Sequence, residues 1–216
     1  MTDPEHVKHI TLVRHGQSEG NRHNVRESNS ALLSEEGRLQ ALKAARRFEQ
    51  EIKVDVVLTS PYTRAHQTAE MIAHHAHVPL IIQPDAHERI LPSVVVGAQR
   101  TDPRVVATVD VVHARYLARS KERIDDEETF DDLAARAERV MRALEARPEQ
   151  RIALVSHQFF MYTLLTWVAC RQHPQPEYLL HLYDTFRCMN TSLSHFTYDQ
   201  KHGWRAVTWN DHSHLW

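Results

Sequence analysis

The stretch Lys8-His9-Ile10-Thr11-Leu12-Val13 runs directly into Arg14-His15-Gly16. Its first residues alternate between polar and apolar and then become continuously apolar, a pattern typical of a buried strand that ends in a polar loop. In open α/β proteins, functional groups gather in the loops that follow the carboxyl ends of the strands. The stretch therefore predicts a buried strand with a functional loop at its end.

Further segments along the chain repeat this strand-to-helix pattern. A β-branched run at 54–58 and an apolar run at 151–156 predict two more strands. Ser34, followed by two acidic residues, predicts a capped helix over about 34–50, and Pro61 after Ser60 predicts another helix start.

A further helix is indicated by the apolar spacing between Leu133 and Leu144, and the stretches 192–198 and 205–209 predict a final hairpin. Strands that alternate with helices imply a three-layer α/β/α domain with a mainly parallel sheet, to which the late hairpin adds antiparallel pairing.

The region from 87 to 126 interrupts the regular pattern. Its periodicity is weak, and its prolines and clustered arginines predict a loop-rich, lid-like excursion with a helix near 103–118. We expect one domain over 1–216. A division into two domains near residue 100 is the alternative, and it would require a linker of different composition there.

Composition narrows the classes of function. The chain has 216 residues, with 26 Lys+Arg against 28 Asp+Glu and a net charge of -2, which does not suit a general nucleic-acid binder. The first twenty residues contain charges and no apolar run, and the uncharged run 159–170 is too short to cross a bilayer of about 30 Å. We therefore expect a cytoplasmic protein without a membrane partner, in which Cys170 and Cys188 are reduced.

Three strand-to-helix junctions bring charged residues and histidines to one edge of the predicted sheet: 14–16, 60–64 and 156–157. Guanidinium groups match phosphate oxygens in a bidentate manner, and a neutral imidazole nitrogen is a good nucleophile toward phosphorus. Nearby arginines also disfavour protonation of an imidazole. The set predicts a pocket for phosphoryl transfer.

Four motifs occur in an order that resembles the histidine phosphatase superfamily, which includes the phosphoglycerate mutases. Leu12-Val13-Arg14-His15-Gly16-Gln17-Ser18-Glu19-Gly20-Asn21 is similar to the RHGxxxxN signature. Ser60-Pro61-Tyr62-Thr63-Arg64-Ala65-His66-Gln67-Thr68-Ala69 resembles the second motif. Glu128-Thr129 with Arg136 resembles an internal element, and Val155-Ser156-His157 resembles the motif of the second histidine.

The resemblance implies a phosphoglycerate mutase-like fold and a role for each matching residue. His15 would be the nucleophile that becomes phosphohistidine, while Arg14, Arg64 and His157 would hold the transferred phosphoryl group. Asn21 would join this phosphate pocket. Glu88 resembles the proton donor of the family, which protonates the leaving oxygen and then activates water. His15, Glu88 and His157 are thus the predicted catalytic residues.

The implied activity is hydrolysis of a small phosphorylated substrate, with no cofactor and no metal, since arginines and imidazoles already supply positive charge. The chain departs from the family pattern at Gln158, where glycine is usual, and at 90–92, where the mutase branch has a glycine-rich tract. The longer insertions of the mutases are also missing. These departures favour a phosphatase over a mutase. Gln17, Arg89 and Gln158 are candidate substrate contacts.

Other functions stay open at this point. A phosphoglycerate mutase-like transferase would pass the phosphoryl group to a second hydroxyl group, and a catalytically silent binding module would be expected to lose His15, Arg64 or Glu88, all of which are present. A metal carrier is the fourth candidate because of the 17 histidines, but the clusters at 74–77 and 212–214 lack ligand partners at suitable spacing. The arginines between 100 and 123 are predicted to be mostly a solvated helix face, and the alternative is that one or two of them contact an anionic substrate. Substrate identity and oligomeric state are left open by the sequence, with a homodimer as one candidate.

Overall fold

A six-stranded sheet organises residues 7–216, which are the part of the chain that this computed structural model describes. Its strands are β1 (Lys8–Arg14), β2 (Val56–Thr59), β3 (Leu80–Ile82), β4 (Arg151–Ser156), β5 (Leu193–Asp199) and β6 (Gly203–Asp211). The strand order is β3-β2-β4-β1-β5-β6. The first four strands form parallel pairs, namely β3 with β2, β2 with β4 and β4 with β1. β5 is antiparallel to both β1 and β6. The predicted fold class and final hairpin are confirmed.

Seven α-helices connect the strands within the described residues: α1 (Glu19–Arg22), α2 (Glu35–Gln50), α3 (Thr63–Ala76), α4 (Pro103–Leu117), α5 (Phe130–Ala146), α6 (Gln158–Ala169) and α7 (Pro176–Thr185). Short 3₁₀ helices cover Pro84–Ala86, Ser93–Val95 and Ser213–Leu215. The predicted cap of α2 is confirmed, because the Ser34 hydroxyl accepts a hydrogen bond from the Gly37 amide at 3.0 Å. None of the helices in 7–216 combines the length and the apolar character that a membrane span needs.

Alternation along β1 divides the core between the two faces of the sheet. Ile10 and Leu12 belong to the cluster that α5 and α6 cover, whereas Val13 belongs to the cluster beneath α2 and α3. Successive side chains of a strand point to opposite faces, so one apolar strand serves both layers. α6 is buried along most of its length, as its apolar run predicts, and Trp167 is fully enclosed.

The predicted start of α3 is wrong by two residues. The helix begins at Thr63 with Tyr62 at its N-cap position, whereas a start at Pro61 capped by Ser60 was expected. Ser60 accepts a hydrogen bond from the Tyr62 amide at 3.2 Å and contacts His157, so it shapes the turn before the helix. β2 also begins two residues later than expected. β3 and α7 were not predicted: β3 has three residues, two of them exposed, and neither element carries a strong periodic signal.

The 87–126 region contains the predicted helix, α4, which begins at Pro103 after the cap residue Asp102. The start of the region is attached to α5 by Arg136. This buried guanidinium group holds Glu128 at 2.7 Å and donates hydrogen bonds to the carbonyl oxygens of Asp85 and His87 at 2.8 and 2.7 Å. The segment that carries Glu88 is therefore fixed to the core, while lid-like motion of the remainder stays a prediction.

Candidate active site

Strand register places the two motif histidines side by side. Arg14 at the end of β1 pairs with Ser156 at the end of β4, so the residues that follow each strand meet at one edge of the sheet. The ring centroids of His15 and His157 are 5.0 Å apart. Because Thr59 of the neighbouring β2 pairs with Val155, Ser60 lies at the same edge. The sequence prediction that these junctions converge is confirmed.

His15 is held in one tautomer. Its Nδ1 lies 2.7 Å from the Gly16 carbonyl oxygen, which can only accept, so Nδ1 carries the proton and Nε2 holds the lone pair, which accepts a hydrogen bond from Arg64. Arg64 directs its Nε toward that Nε2 at 3.3 Å. Burial, together with the positive charges of Arg64 and Arg14, holds the pKa of His15 well below its usual value. The imidazole is therefore neutral near pH 7.

The two motif arginines are anchored by groups that leave part of each guanidinium facing the cavity. Arg64 is buried, with its Nε 3.0 Å from a Glu27 carboxylate oxygen and its Nη1 donating to the Ser28 carbonyl at 3.0 Å. Arg14 donates from Nη1 to the carbonyl oxygen of Cys188. Both arginines line the cavity next to His15.

His157 lies behind His15 and is fully buried. Its Nε2 is 2.7 Å from the Ser60 hydroxyl, and its Nδ1 has no hydrogen-bond partner among residues 7–216. Burial and the charge of Arg64 hold the pKa of His157 well below its usual value. Unlike His15, His157 does not line the cavity, so its contact with a phosphoryl oxygen stays a prediction.

Asn21 lines the same cavity and is positioned by Asn190. The Asn190 amide nitrogen donates to Asn21 Oδ1 at 3.3 Å and to the His15 carbonyl oxygen at 3.0 Å. It thus connects the loop after β1 to the turn before β5. Sequence reasoning missed Asn190, because it stands in no recognised motif.

Glu88 faces the cavity from the amino end of α6. Its carboxylate accepts hydrogen bonds from the backbone N–H groups of Phe159, Phe160 and Arg89 at 3.2, 3.0 and 3.0 Å. Carboxylates are favoured at helix N-termini, so the start of α6 holds this side chain in place. Together with the clamp by Arg136, these contacts aim one carboxylate at the cavity that His15 lines.

The cavity has a volume of about 310 Å³ and is lined by five arginines and three carboxylates. Those residues are Arg14, Arg26, Arg64, Arg89, Arg100, Glu27, Glu88 and Asp126. Arginines thus outnumber acids at the site, although the whole chain carries a net charge of -2.

Two of the three candidate substrate contacts lie in the cavity lining. Arg89 and Gln158 line the cavity, but Gln17 does not. The Gln17 side-chain oxygen accepts from the Ser34 hydroxyl at 2.8 Å, so Gln17 supports the start of α2.

Of the arginines predicted as a helix face, Arg100 lines the cavity, whereas the others form ion pairs outside its lining: Arg104, Arg115, Arg119 and Arg123. Arg26 and Glu27 were missed by sequence reasoning, because they stand in an irregular loop between motifs. Within residues 7–216, no group of three or more His, Cys, Asp or Glu side chains is arranged to hold a metal ion.

Comparison with known proteins places this geometry in a family. The model of the "Histidine phosphatase superfamily (branch 1)" matches residues 10–212. The chain belongs to this superfamily. The predicted resemblance is confirmed, and the motifs that carried it lie within the matched range.

Relatives of this histidine phosphatase superfamily member include proteins named as a phosphatase and as a mutase. The "Uncharacterized phosphatase PhoE" of Bacillus subtilis (strain 168) is 25% identical over 211 residues, covering 95% of this chain and 96% of that protein. The "Probable phosphoglycerate mutase GpmB" of Cronobacter sakazakii is 26% identical, covering 95% and 94%. A mycobacterial glucosyl-3-phosphoglycerate phosphatase, solved with VO3, has the same fold, with a TM-score of 0.75, 20% identity and coverage of 94% and 99%.

Proposed function

We propose that this member of the superfamily is a phosphomonoester hydrolase that acts through a phosphohistidine at His15 on a small phosphorylated substrate. The observation that carries the proposal is the neutral imidazole of His15, whose Nε2 lone pair lies beside Arg64 in a cavity that His15 lines together with Arg14 and Arg64. Nucleophile and phosphate-binding groups thus occur within one site, as phosphoryl transfer requires.

Each half of the reaction uses residues already in place. His15 Nε2 attacks phosphorus, the bond from phosphorus to the leaving oxygen breaks, and a proton from Glu88 goes to that oxygen. In the second half, water attacks the phosphohistidine while Glu88 takes the water proton, so the bond from Nε2 to phosphorus breaks and inorganic phosphate forms. Arg14, Arg64, Asn21 and His157 bind the phosphoryl oxygens throughout. The arginines and imidazoles provide the charge that a metal ion provides in other phosphoryl-transfer sites, so we propose that no metal or cofactor takes part.

The test is to trap the phosphoenzyme and compare it with His15→Ala. A panel of phosphorylated metabolites, sugars, nucleotides and phosphopeptides is first screened for release of inorganic phosphate with EDTA present. The best substrate is then mixed with the enzyme, quenched within milliseconds and analysed by intact mass and peptide mapping. We expect one phosphoryl group on His15, and we expect His15→Ala to retain its fold but lose turnover by at least about 10⁴-fold.

His66→Ala is a suitable control, because His66 is a partly exposed histidine on α3 outside the cavity lining. Wild-type activity in His15→Ala, or a phosphoryl group on another residue, would show that the covalent mechanism is wrong.

A phosphoglycerate mutase-like transferase is the second candidate, favoured by the name of the Cronobacter relative. The same phosphohistidine would then pass its phosphoryl group to a second hydroxyl. ³¹P NMR of a phosphoglycerate incubated with the enzyme distinguishes the two, because the hydrolase releases inorganic phosphate while a mutase interconverts phosphate esters. Ile90-Leu91-Pro92 in place of the glycine-rich tract supports the hydrolase. Cytoplasmic location and homodimer formation stay predictions.

A further inference from the structure

Within residues 7–216, four arginines of the cavity lack a carboxylate partner: Arg14, which lies beside His15, and three others farther along the lining. Arg26, Arg89 and Arg100, here called the unpaired arginine group, all line the cavity, and none forms an ion pair within residues 7–216. By contrast, Arg64 of the same cavity is paired with Glu27 at 3.0 Å.

The guanidinium group of Arg26 lies near enough to those of Arg89 and Arg100 to be repelled by both. Burial, followed by the charges of Arg89 and Arg100, lowers the pKa of Arg26. The buried Nε of Arg26 has no hydrogen-bond partner among the described residues. Confining like charges in a partly buried cavity destabilises the free protein unless an anion neutralises them.

Neutral groups hold these arginines in position without cancelling their charge. Arg89 lies 3.6 Å above the ring of Phe159, and its Nη1 is 2.8 Å from Nε2 of His113. Burial and the nearby arginines lower the pKa of His113 to about 4, so its ring is neutral and accepts the bond. Arg100 donates from Nε to the carbonyl oxygen of Val25 at 3.1 Å.

The three carboxylates that line the same cavity form no ion pair with these three arginines. Glu27 pairs with Arg64, and Glu88 accepts from the amides at the start of α6. Asp126 accepts a hydrogen bond from the Ser93 amide at 2.8 Å. Hydrogen bonds from neutral amides leave Glu88 and Asp126 charged, and the Glu88 carboxylate lies near enough to Arg26 to attract it. Five arginines against three carboxylates nevertheless leave an excess of positive charge in the cavity for a ligand.

We propose that the unpaired arginine group binds a second anionic group of the substrate, a carboxylate or a second phosphate, while the phosphoryl group to be removed lies at His15. The inference rests on the proposed function and narrows the substrate class to phosphomonoesters with an anionic far end. Guanidinium groups bind both kinds of anion in a bidentate manner, so the shared chemistry is a planar or tetrahedral oxyanion.

The experiment compares substrates that differ only at the far end. Glycerol 3-phosphate, 3-phosphoglycerate and glycerol 1,3-bisphosphate share a three-carbon chain that ends in a hydroxymethyl, carboxylate or phosphate group. The same three ends on an unbranched six-carbon chain test a longer reach. Values of kcat/KM are measured for the wild type, Arg26→Gln, Arg100→Gln and the control Arg104→Gln, whose side chain is 90% exposed and pairs with Asp102.

We expect wild-type kcat/KM to be about 10- to 100-fold higher for at least one anionic end than for the hydroxymethyl end, because hydrogen bonds to charged groups are the strong ones. Arg26→Gln and Arg100→Gln should each lower this preference about 10-fold, mainly through KM, while Arg104→Gln should keep it. The substrate with the largest increase in kcat/KM over the hydroxymethyl compound shows whether the second anion is a carboxylate or a phosphate.

Two failures are distinguishable. Equal kcat/KM for all ends at both chain lengths, or equal losses for anionic and neutral ends in the variants, would overturn the second-anion site while leaving the hydrolase proposal intact. The variants would then show that these arginines only assist the transferred phosphoryl group. Absence of phosphate release from every ester, including p-nitrophenyl phosphate, would instead overturn the proposed function itself.

Discussion

A histidine acts as a nucleophile only if one ring nitrogen is unprotonated and faces the substrate. In this protein the Gly16 carbonyl fixes the tautomer of His15, and burial beside Arg64 keeps the ring neutral. Under the proposed function, Arg64 would bind phosphate and would also help to keep the attacking imidazole neutral. A small number of local contacts accounts for both properties.

For the single residue Glu88, the expected effect of substitution on the phosphorylation rate depends on the leaving group of the substrate. Glu88→Gln removes the transferable proton, which should slow phosphorylation by an alkyl phosphate about 10²- to 10⁴-fold. It should slow phosphorylation by p-nitrophenyl phosphate much less, because p-nitrophenolate leaves without a proton. Single-turnover measurements of phosphorylation avoid the contribution of phosphohistidine hydrolysis.

Asp126→Asn is the matched control, since Asp126 is another carboxylate of the cavity. Equal losses for both substrates in Glu88→Gln would show that a different group protonates the leaving oxygen. Two other acids near the 87–126 region are engaged elsewhere: Asp85 pairs with Arg139 at 2.9 Å, and Asp102 pairs with Arg104 at 2.9 Å.

Between elements, the loop after β1 packs backbone to backbone against the start of α2. A Cβ atom at Gly37 would lie 1.8 Å from the Gln17 carbonyl oxygen, and one at Gly16 would lie 2.4 Å from the Gly37 carbonyl oxygen. The two backbone segments can approach this closely only because both positions are glycine and carry no Cβ atom. The packing sets the distance between α2 and the loop that carries His15.

Gly37→Ala is therefore expected to destabilise the protein, although alanine favours helices by about 1 kcal/mol over glycine at an open site. Forcing a methyl group into this contact should lower the free energy of unfolding by about 1–3 kcal/mol, which corresponds to a fall in Tm of roughly 3 to 10 °C. Displacement of His15 should also lower kcat/KM. Thermal unfolding and steady-state kinetics measure the two effects.

Arg38→Ala is the control for helix propensity, because Arg38 is an exposed residue of α2. It should leave Tm almost unchanged. A Tm for Gly37→Ala equal to or above that of the wild type would mean that the close packing does not constrain the loop.

Across the whole molecule, the cavity concentrates positive charge in a chain whose net charge is slightly negative. Such a preorganised site should favour the five-coordinate oxyanion of phosphoryl transfer over the tetrahedral ground state. The charge comes from side chains of several distant segments, so it exists only in the folded protein.

Vanadate should therefore inhibit competitively and bind at least about 100-fold more tightly than inorganic phosphate. The enzyme should keep full activity after EDTA treatment. Arg64→Gln should weaken vanadate binding about 10- to 100-fold, because it removes a charged donor from the pocket. Activity that returns only after addition of Zn²⁺ or Mg²⁺ would contradict the metal-independent mechanism.

Stability should also depend on pH through the buried histidines. Within residues 7–216, burial lowers the pKa of six histidines: His15, His87, His113, His157, His195 and His214. Below the usual pKa of about 6.5 the unfolded chain takes up protons that the folded chain does not, so the free energy of unfolding falls as pH decreases.

The limiting slope for each fully buried histidine, His15 and His157, is about 1.4 kcal/mol per pH unit, and solvent screening makes the other contributions smaller. Chemical denaturation between pH 7.5 and 5 measures this slope. His195→Gln should reduce it, because it removes one of the six groups without altering the cavity lining. A flat profile below pH 6.5 would refute the prediction.

Local patterns in the amino-acid sequence were sufficient to determine the major elements and the core of the site. The apolar runs of β1 and β4, the cap at Ser34 and the spacing in α5 depend on neighbours along the chain, and all appear in the structure. His15, Arg64 and His157 could be proposed because each follows a strand within a recognisable motif. Parallel strands then bring such residues to one edge, by geometry alone.

Other features depended on contacts between residues far apart in sequence. The helix α3 begins two residues later than the local pattern indicates, and Ser60, the predicted cap, instead contacts His157, 97 positions away. Gln17 lies outside the cavity lining, where its side chain accepts a hydrogen bond from Ser34. Asn190 belongs to the site because its amide donates to the carbonyl oxygen of His15, 175 positions away in the sequence. Arg26 and Arg100 lie in irregular segments, where no periodic pattern predicts which way a side chain points. Only tertiary packing therefore determines that both line the cavity and that neither forms an ion pair with a carboxylate of the described residues.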